Sequence, residues 1–300
     1  MQPTPVISIP TRDAHPVVAD WYAPNGADHG NVDRVVVMAH GFKGHRRWGF
    51  IPIVATRHQF KGIGVLSIDF SHNGHVPADG SIVEETLDAF IAPDLFRSNT
   101  IARELDDLAH VLKWLRDPMG GAFLLGLAEN PALGLWGHSR GGVISILAAL
   151  EDPALVALVT WSALAHPDHY TDRQKEVWRT KGEFAFTDYA SGTTLALGKA
   201  YLDDIVANHD AYDVGARAQD LAMPHLIVHG EHDPTVPVED SYKFYDTPSI
   251  RADKKLLRLL TGHTYGYDDG RIASEALDNA IKATATWYDT YLTARSAHES

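Results

Sequence analysis

Apolar runs and polar punctuation alternate along this chain. Two short β-type segments, Val6–Ile9 and Val17–Tyr22, open it across a polar turn and predict an antiparallel pair at a sheet edge. Further runs follow at Val35–Ala39, Val65–Phe70, Leu133–Trp136, Val156–Ser162, His225–His229 and Lys255–Leu260, bounded by Gly, Asp and Asn. They are apolar almost throughout, the pattern of strands buried on both faces. Helical stripes lie between them. Ile101, Leu105, Leu108, Val111, Leu112 and Leu115 form one, stopped by Pro118 and Gly120; Val143–Leu150 and Leu277, Ile281, Thr284, Tyr288 and Tyr291 form others. Strands alternating with helices predict a mostly parallel, twisted sheet with right-handed crossovers and helices on both faces, an α/β fold.

One connection is far longer than a crossover needs. Residues 163–222 separate the strand at Val156–Ser162 from the one at His225–His229. Thr171 and Gln174 form a capping-box pattern for a helix ending near Gly182, and a second helix is expected over Leu195–Val206. The segment is either a decorated crossover or a small helical lid, and long insertions in compact domains favour the lid. The whole chain, 1–300, then reads as one domain carrying that insertion.

The sharpest chemical signal is Gly137-His138-Ser139-Arg140-Gly141-Gly142, set between a strand and a helix. G-x-S-x-G in that setting is the pattern of a nucleophile elbow. The turn is so tight that flanking side chains would collide with neighbouring strands. It lifts Ser139 to a helix N-terminus, whose N–H groups favour developing negative charge. Asp233, in His229-Gly230-Glu231-His232-Asp233-Pro234, and His263, in Thr261-Gly262-His263-Thr264, each follow a predicted strand. Serine, acid and histidine thus occur in the order this kind of site requires, at the carboxyl edge of the sheet. Glu231 competes with Asp233 for the acid role. The loop His40-Gly41-Phe42-Lys43-Gly44 is small enough for close backbone approach, so the N–H groups of Phe42 and Arg140 are the expected oxyanion donors. The His40 side chain is read as structural, and Asp69 as an anchor for nearby N–H groups. Phe42, Trp161, Tyr170, Trp178 and Tyr265 are the aromatic candidates for a substrate pocket.

These motifs resemble the α/β-hydrolase-fold serine hydrolases. The likeness is to bacterial esterases and acyl hydrolases related to dienelactone hydrolases and to the catalytic domains of prolyl oligopeptidases. It is carried by His40-Gly41-Phe42, the Ser139 elbow, His229 to Asp233 with Val236-Pro237, and Gly262-His263-Thr264. It implies a carboxylesterase that forms an acyl-enzyme on Ser139, with His263 as base and Asp233 orienting it, and with no metal or organic cofactor. An aminopeptidase or amidase with the same triad is the nearest alternative, with Asp203, Asp204 and Asp210 as a possible amine-binding patch. A non-enzymatic ligand receptor on the same fold is the other.

Composition narrows this reading. The 300 residues include no cysteine, which excludes disulfides, thiolate metal sites and the cysteine nucleophile of dienelactone hydrolases proper. With the strand Val35–Ala39 so near the start of the sequence, no propeller is expected ahead of it. With 26 Lys+Arg against 39 Asp+Glu, the charge of −13 disfavours nucleic acid. The pairs His72/His75, His166/His169 and His229/His232 lack the spacing of a metal site. No run is long enough to span a membrane, and the opening residues lack the basic and apolar regions of a secretory leader, so a cytoplasmic location is expected. The expected partners are a small-molecule ester and, in a homo-oligomer, further copies of the chain.

Overall fold

A computed structural model describes residues 4–26, 31–59, 61–77, 81, 88–188, 192–248, 253–267 and 274–293. Residues 1–3, which belong to the opening segment read against a secretory leader, and 189–191 of the insertion lie outside the described residues. In chain order the elements are β1 (Thr4–Ile9), β2 (Val17–Tyr22), β3 (Val32–Ala39), α1 (Ile51–Gln59), β4 (Gly64–Asp69), α2 (Pro93–Arg97) and α3 (Ile101–Arg116). Then come α4 (Gly121–Leu124), β5 (Leu127–His138), α5 (Arg140–Glu151), β6 (Ala157–Trp161), α6 (Asp172–Lys181), β7 (Glu183–Thr187) and β8 (Thr194–Gly198). The chain closes with α7 (Lys199–Ala207), α8 (Val214–Arg217), β9 (His225–Gly230), α9 (Glu239–Asp246), β10 (Lys254–Leu259) and α10 (Glu275–Tyr291).

The main sheet has eight strands in the order β1-β2-β4-β3-β5-β6-β9-β10. β1 and β2 form the antiparallel edge, with β2 also antiparallel to β4; every pair from β4 to β10 is parallel. The period-2 alternation sorts the strand residues onto two cores. Val35, Val37, Leu66, Leu133 and Leu135 face α3 and α5. Val36, Met38, Val65, Trp136 and Val228 face α1 and α10. Both sheet faces are therefore covered by helices, which is why these strands are apolar without a polar side.

β5 begins earlier than its apolar run. Glu129 to Pro131 fall at a register shift against β3, between the pairs Val32↔Leu127 and Arg34↔Ala132, so its first half is partly exposed. The insertion departs further from expectation. The helix Asp172–Lys181 forms, with both capping-box hydrogen bonds and a left-handed Gly182 after it. Leu195–Gly198, however, is strand and not the start of a helix. Leu195 and Leu197 alternate with Thr194 and Ala196, a strand period, and pair with Phe186 and Phe184 of β7. The helical run starts only at Lys199. The insertion is thus a mixed unit with a two-stranded antiparallel sheet.

Candidate active site

Four loops meet beyond the carboxyl ends of β3, β5, β9 and β10. Ser139 joins β5 to α5 with φ 54° and ψ −120°, left-handed geometry that a non-glycine residue adopts only under constraint. The surrounding packing supplies that constraint. A Cβ on Gly141 would lie 2.3 Å from the Ala39 carbonyl oxygen, and one on Gly137 would lie 2.3 Å from the Gly141 carbonyl oxygen. The Ser139 N–H donates to the Trp161 carbonyl at 2.9 Å, tying the elbow to β6.

The loop after β3 packs directly on the elbow: a Cβ on Gly41 would meet the Ser139 Cβ at 3.0 Å. His40 braces this loop from within. Its Nδ1–H donates to the Gly41 carbonyl at 2.8 Å, and its Nε2 accepts the Phe70 N–H at 3.3 Å. Burial lowers its pKa to about 3, which suits the neutral ring that this pattern requires. Asp69 accepts the Arg46 N–H at 2.6 Å and pairs with the Arg46 guanidinium, fixing the far end of the same loop.

His263 donates through Nδ1 to Asp233 Oδ2 at 2.7 Å. Asp233 Oδ1 accepts the N–H groups of Thr235 and Val236 at 2.8 and 2.9 Å. Burial alone would raise the Asp233 pKa, but the His263 hydrogen bond and charge and these two N–H groups bring it down to about 2. Glu231 turns away and lies 3.4 Å from Arg258. His229 donates to the Val236 carbonyl at 3.0 Å and so shapes the Asp233 loop.

His138 has a place that the motif does not announce. Its Nε2–H donates to the His263 carbonyl at 3.1 Å, and the two rings lie 4.6 Å apart. Burial holds its pKa well below the ordinary value, so it is a neutral donor. The residue before Ser139 thereby links the elbow to the backbone of His263.

Beside Ser139 lies a cavity of about 190 Å³ under the insertion. Of the aromatic candidates, Phe42 and Tyr170 line it. Trp161 and Tyr265 do not: both are fully buried in the core against Phe50, with the Trp161 Nε1 donating to Thr284 and the Tyr265 hydroxyl to the Val228 carbonyl. Trp178 is buried within the insertion, stacked on Tyr201, and is absent from the lining. Phe184, Phe186, Tyr201 and Arg140 line the cavity instead. Phe184 and Phe186 are brought there by the β7–β8 pairing, which strand alternation in Thr194–Gly198 could have signalled. Phe42 packs on Phe186 at 5.5 Å between ring centroids, and Lys43 pairs with Asp188 at 2.6 Å, so the loop after β3 and the insertion are joined.

A larger groove, about 610 Å³, runs between α3 and α5 and contains none of these groups. Among the described residues no cluster of three or more His, Asp or Glu could hold a metal, and no helix is long and apolar enough to cross a membrane. Ring nitrogens of His75 and His166 face backbone carbonyls.

No family model matches this chain, and no curated protein sequence does. Solved structures do. An esterase domain from Rhodothermus marinus superposes with a TM-score of 0.63 at 18% identity, over 98% of this chain and 100% of that one. A dienelactone hydrolase from Anabaena variabilis gives 0.58 at 16% identity, over 98% and 100%. A puromycin-hydrolyzing peptidase from Mycobacterium tuberculosis gives 0.63 at 17%, over 97% of this chain and 39% of that one. Identities this low speak for the fold alone.

Proposed function

We propose that this chain, built on the α/β-hydrolase fold, is a serine hydrolase that cleaves small to medium carboxylic esters through an acyl-enzyme. The observation that carries the reading is the Asp233–His263 hydrogen bond, tied through His138 to the elbow that strains Ser139. His263 takes the Ser139 proton as the oxygen attacks the ester carbonyl. Asp233 holds the Nδ1–H tautomer and stabilises the imidazolium that forms. The N–H groups of Phe42 and Arg140 receive the oxyanion; in other enzymes one such donor contributes about 3–4 kcal/mol to the transition state. His263 then gives its proton to the leaving alcohol, and water activated by the same histidine releases the acid.

Esters are favoured over N-terminal amines of peptides because, among the described residues, the lining offers no carboxylate for an ammonium group. Asp203 pairs with Lys199 at 2.5 Å, and Asp204 is bound by Tyr212 and Asn208. Asp210 is exposed beside His209. None of the three lines the cavity.

Kinetics on short p-nitrophenyl esters test the reading. Ser139→Ala is expected to lose at least about 10³-fold in kcat while keeping its melting temperature. Undiminished turnover in a folded Ser139→Ala protein overturns it.

A further inference from the structure

We propose that the side chain of Arg140 is a positioning residue for the oxyanion donors: it holds the ring of Phe42, so the two residues whose N–H groups receive the oxyanion are fixed to each other. This deepens the esterase reading and rests on it for the oxyanion. The N–H of Arg140 belongs to the elbow, which the glycine contacts and the Ser139 N–H bond to Trp161 already fix. The N–H of Phe42 belongs to a different loop, so its place relative to Ser139 needs a restraint of its own.

Part of that restraint is backbone. The Phe42 N–H shares a peptide unit with the Gly41 carbonyl, which accepts from His40 Nδ1 at 2.8 Å and from the Gly44 N–H at 3.0 Å. A planar trans unit turns its N–H away from its carbonyl, so these bonds set the direction of the donor. They hold the loop to itself, because His40, Gly41 and Gly44 all lie on it. The Phe42 side chain is the remaining handle. Its ring centroid lies 5.6 Å from that of Phe96, 5.5 Å from that of Phe186 and 4.7 Å from the guanidinium carbon of Arg140. Of these three neighbours, Arg140 is the one on the elbow.

The surroundings of Arg140 make it a fixed post. Its side chain is only 6% exposed. Nη2 is bound to Glu104 Oε1 on α3, and Asn99 Nδ2 donates to the same oxygen at 2.7 Å. The Tyr201 hydroxyl bonds the Arg140 side chain as well. Nε and Nη1 meet neither solvent nor, among the described residues, an acceptor. A buried cation short of acceptors is stabilised by aromatic faces, and the rings of Phe42 and Tyr201 stand at 4.7 and 6.0 Å from this one. Drawing the Phe42 ring away would strip one face from a charge with no further acceptor to turn to, so the contact resists displacement of the loop. Oxyanion donors act on charge that develops in the transition state, so a loosened contact shows in kcat.

A cycle of substitutions tests this on hydrolysis of p-nitrophenyl butanoate. Phe42→Leu keeps the N–H and loses the ring. Glu104→Leu with Arg140→Met removes the guanidinium without leaving a lone buried charge. Deleting one oxyanion donor costs about 10²–10³ in kcat, so loosening one is expected to cost about tenfold in either variant. All three substitutions together are expected to cost about tenfold in total, where independent effects would multiply to about a hundredfold. Phe42→Tyr, which restores a ring face, is expected to recover most of the loss. Butane-1-boronic acid forms a tetrahedral adduct on Ser139 with an oxygen where the oxyanion develops. It is expected to bind the same variants about tenfold more weakly, whereas a merely structural role for Arg140 would lower the melting temperature and leave that affinity alone. The rate of fluorophosphonate labelling at Ser139 reads the same cycle without an ester. Coupling in the labelling rates of a protein that turns over no ester keeps the Arg140 role and sinks the esterase reading. Ester turnover with losses that multiply, with an unchanged boronic acid affinity, or with a folded paired variant whose kcat stays within about twofold overturns the Arg140 proposal alone. An intact protein that turns over no ester and takes no label overturns both.

Discussion

The loops at the carboxyl edge of the sheet and the insertion over them are held by different means. Around Ser139 the backbone itself is constrained. The elbow glycines touch carbonyl oxygens of β3 and of α5, and Ser139 is left in a left-handed conformation. In the insertion the contacts are between side chains: Trp178 on Tyr201, Tyr170 on Phe184, Phe186 on Phe42. One of its left-handed glycines, Gly182, caps α6 with open space around the missing Cβ. Backbone constraint fixes atoms to within a few tenths of an ångström, as proton transfer demands. Side-chain packing tolerates change and can be retuned to a different ligand. On this account the edge carries the chemistry and the insertion sets what is accepted.

Substitutions can break that contrast, and the largest effect belongs to the edge. Asp233→Asn keeps the shape of the acid but presents the wrong partner to the His263 Nδ1–H, and kcat is expected to fall about 10⁴-fold, as for the equivalent change in a serine protease. A loss of less than tenfold would move the acid role elsewhere. Next comes Gly141→Ala. Its new Cβ would stand 2.3 Å from the Ala39 carbonyl oxygen and 2.4 Å from that of His40, backbone atoms that cannot swing aside. Overpacking of this kind costs about 1–3 kcal/mol, so thermal unfolding should shift down by several degrees. Esterase kinetics should show a drop in kcat as well, because the strain falls between the elbow and the oxyanion loop. An unaltered kcat would mean that this close approach is dispensable. The smallest effect belongs to the insertion. Phe186→Ala removes one wall of the cavity, worth about 1–2 kcal/mol of apolar contact, and is expected to raise KM about tenfold with kcat within a few-fold. A collapse of kcat with unchanged KM would place chemistry in the insertion and erase the distinction.

The same contrast explains what could be read from the residues alone. The elbow, the Asp233 loop and the His263 loop are contiguous in sequence, and each is marked by glycine next to a strand end. Their geometry is enforced locally, so the pattern and the place coincide. The cavity is assembled from Phe42, Arg140, Phe184, Phe186 and Tyr201, which lie on four separate elements or loops. No local period announces such a meeting. Trp161 and Tyr265 were plausible lining residues by their positions at strand ends. Their rings nonetheless turn into the core beneath the sheet edge, where both are fully buried. Leu195–Gly198 sat in a stretch that also suited a helix, and its pairing with Glu183–Thr187 decided for strand. His138 was legible only as a motif filler. That it holds the His263 carbonyl depends on the approach of β10's loop to β5's, which are not adjacent strands.

In the proposed mechanism Ser139 is a nucleophile activated by His263. Covalent labelling with a fluorophosphonate, read by peptide mass spectrometry, tests it most directly. One stoichiometric adduct is expected, located on Ser139, and it is lost in the folded His263→Ala protein. An intact protein that takes no label, or an adduct formed at the same rate without His263, would contradict it.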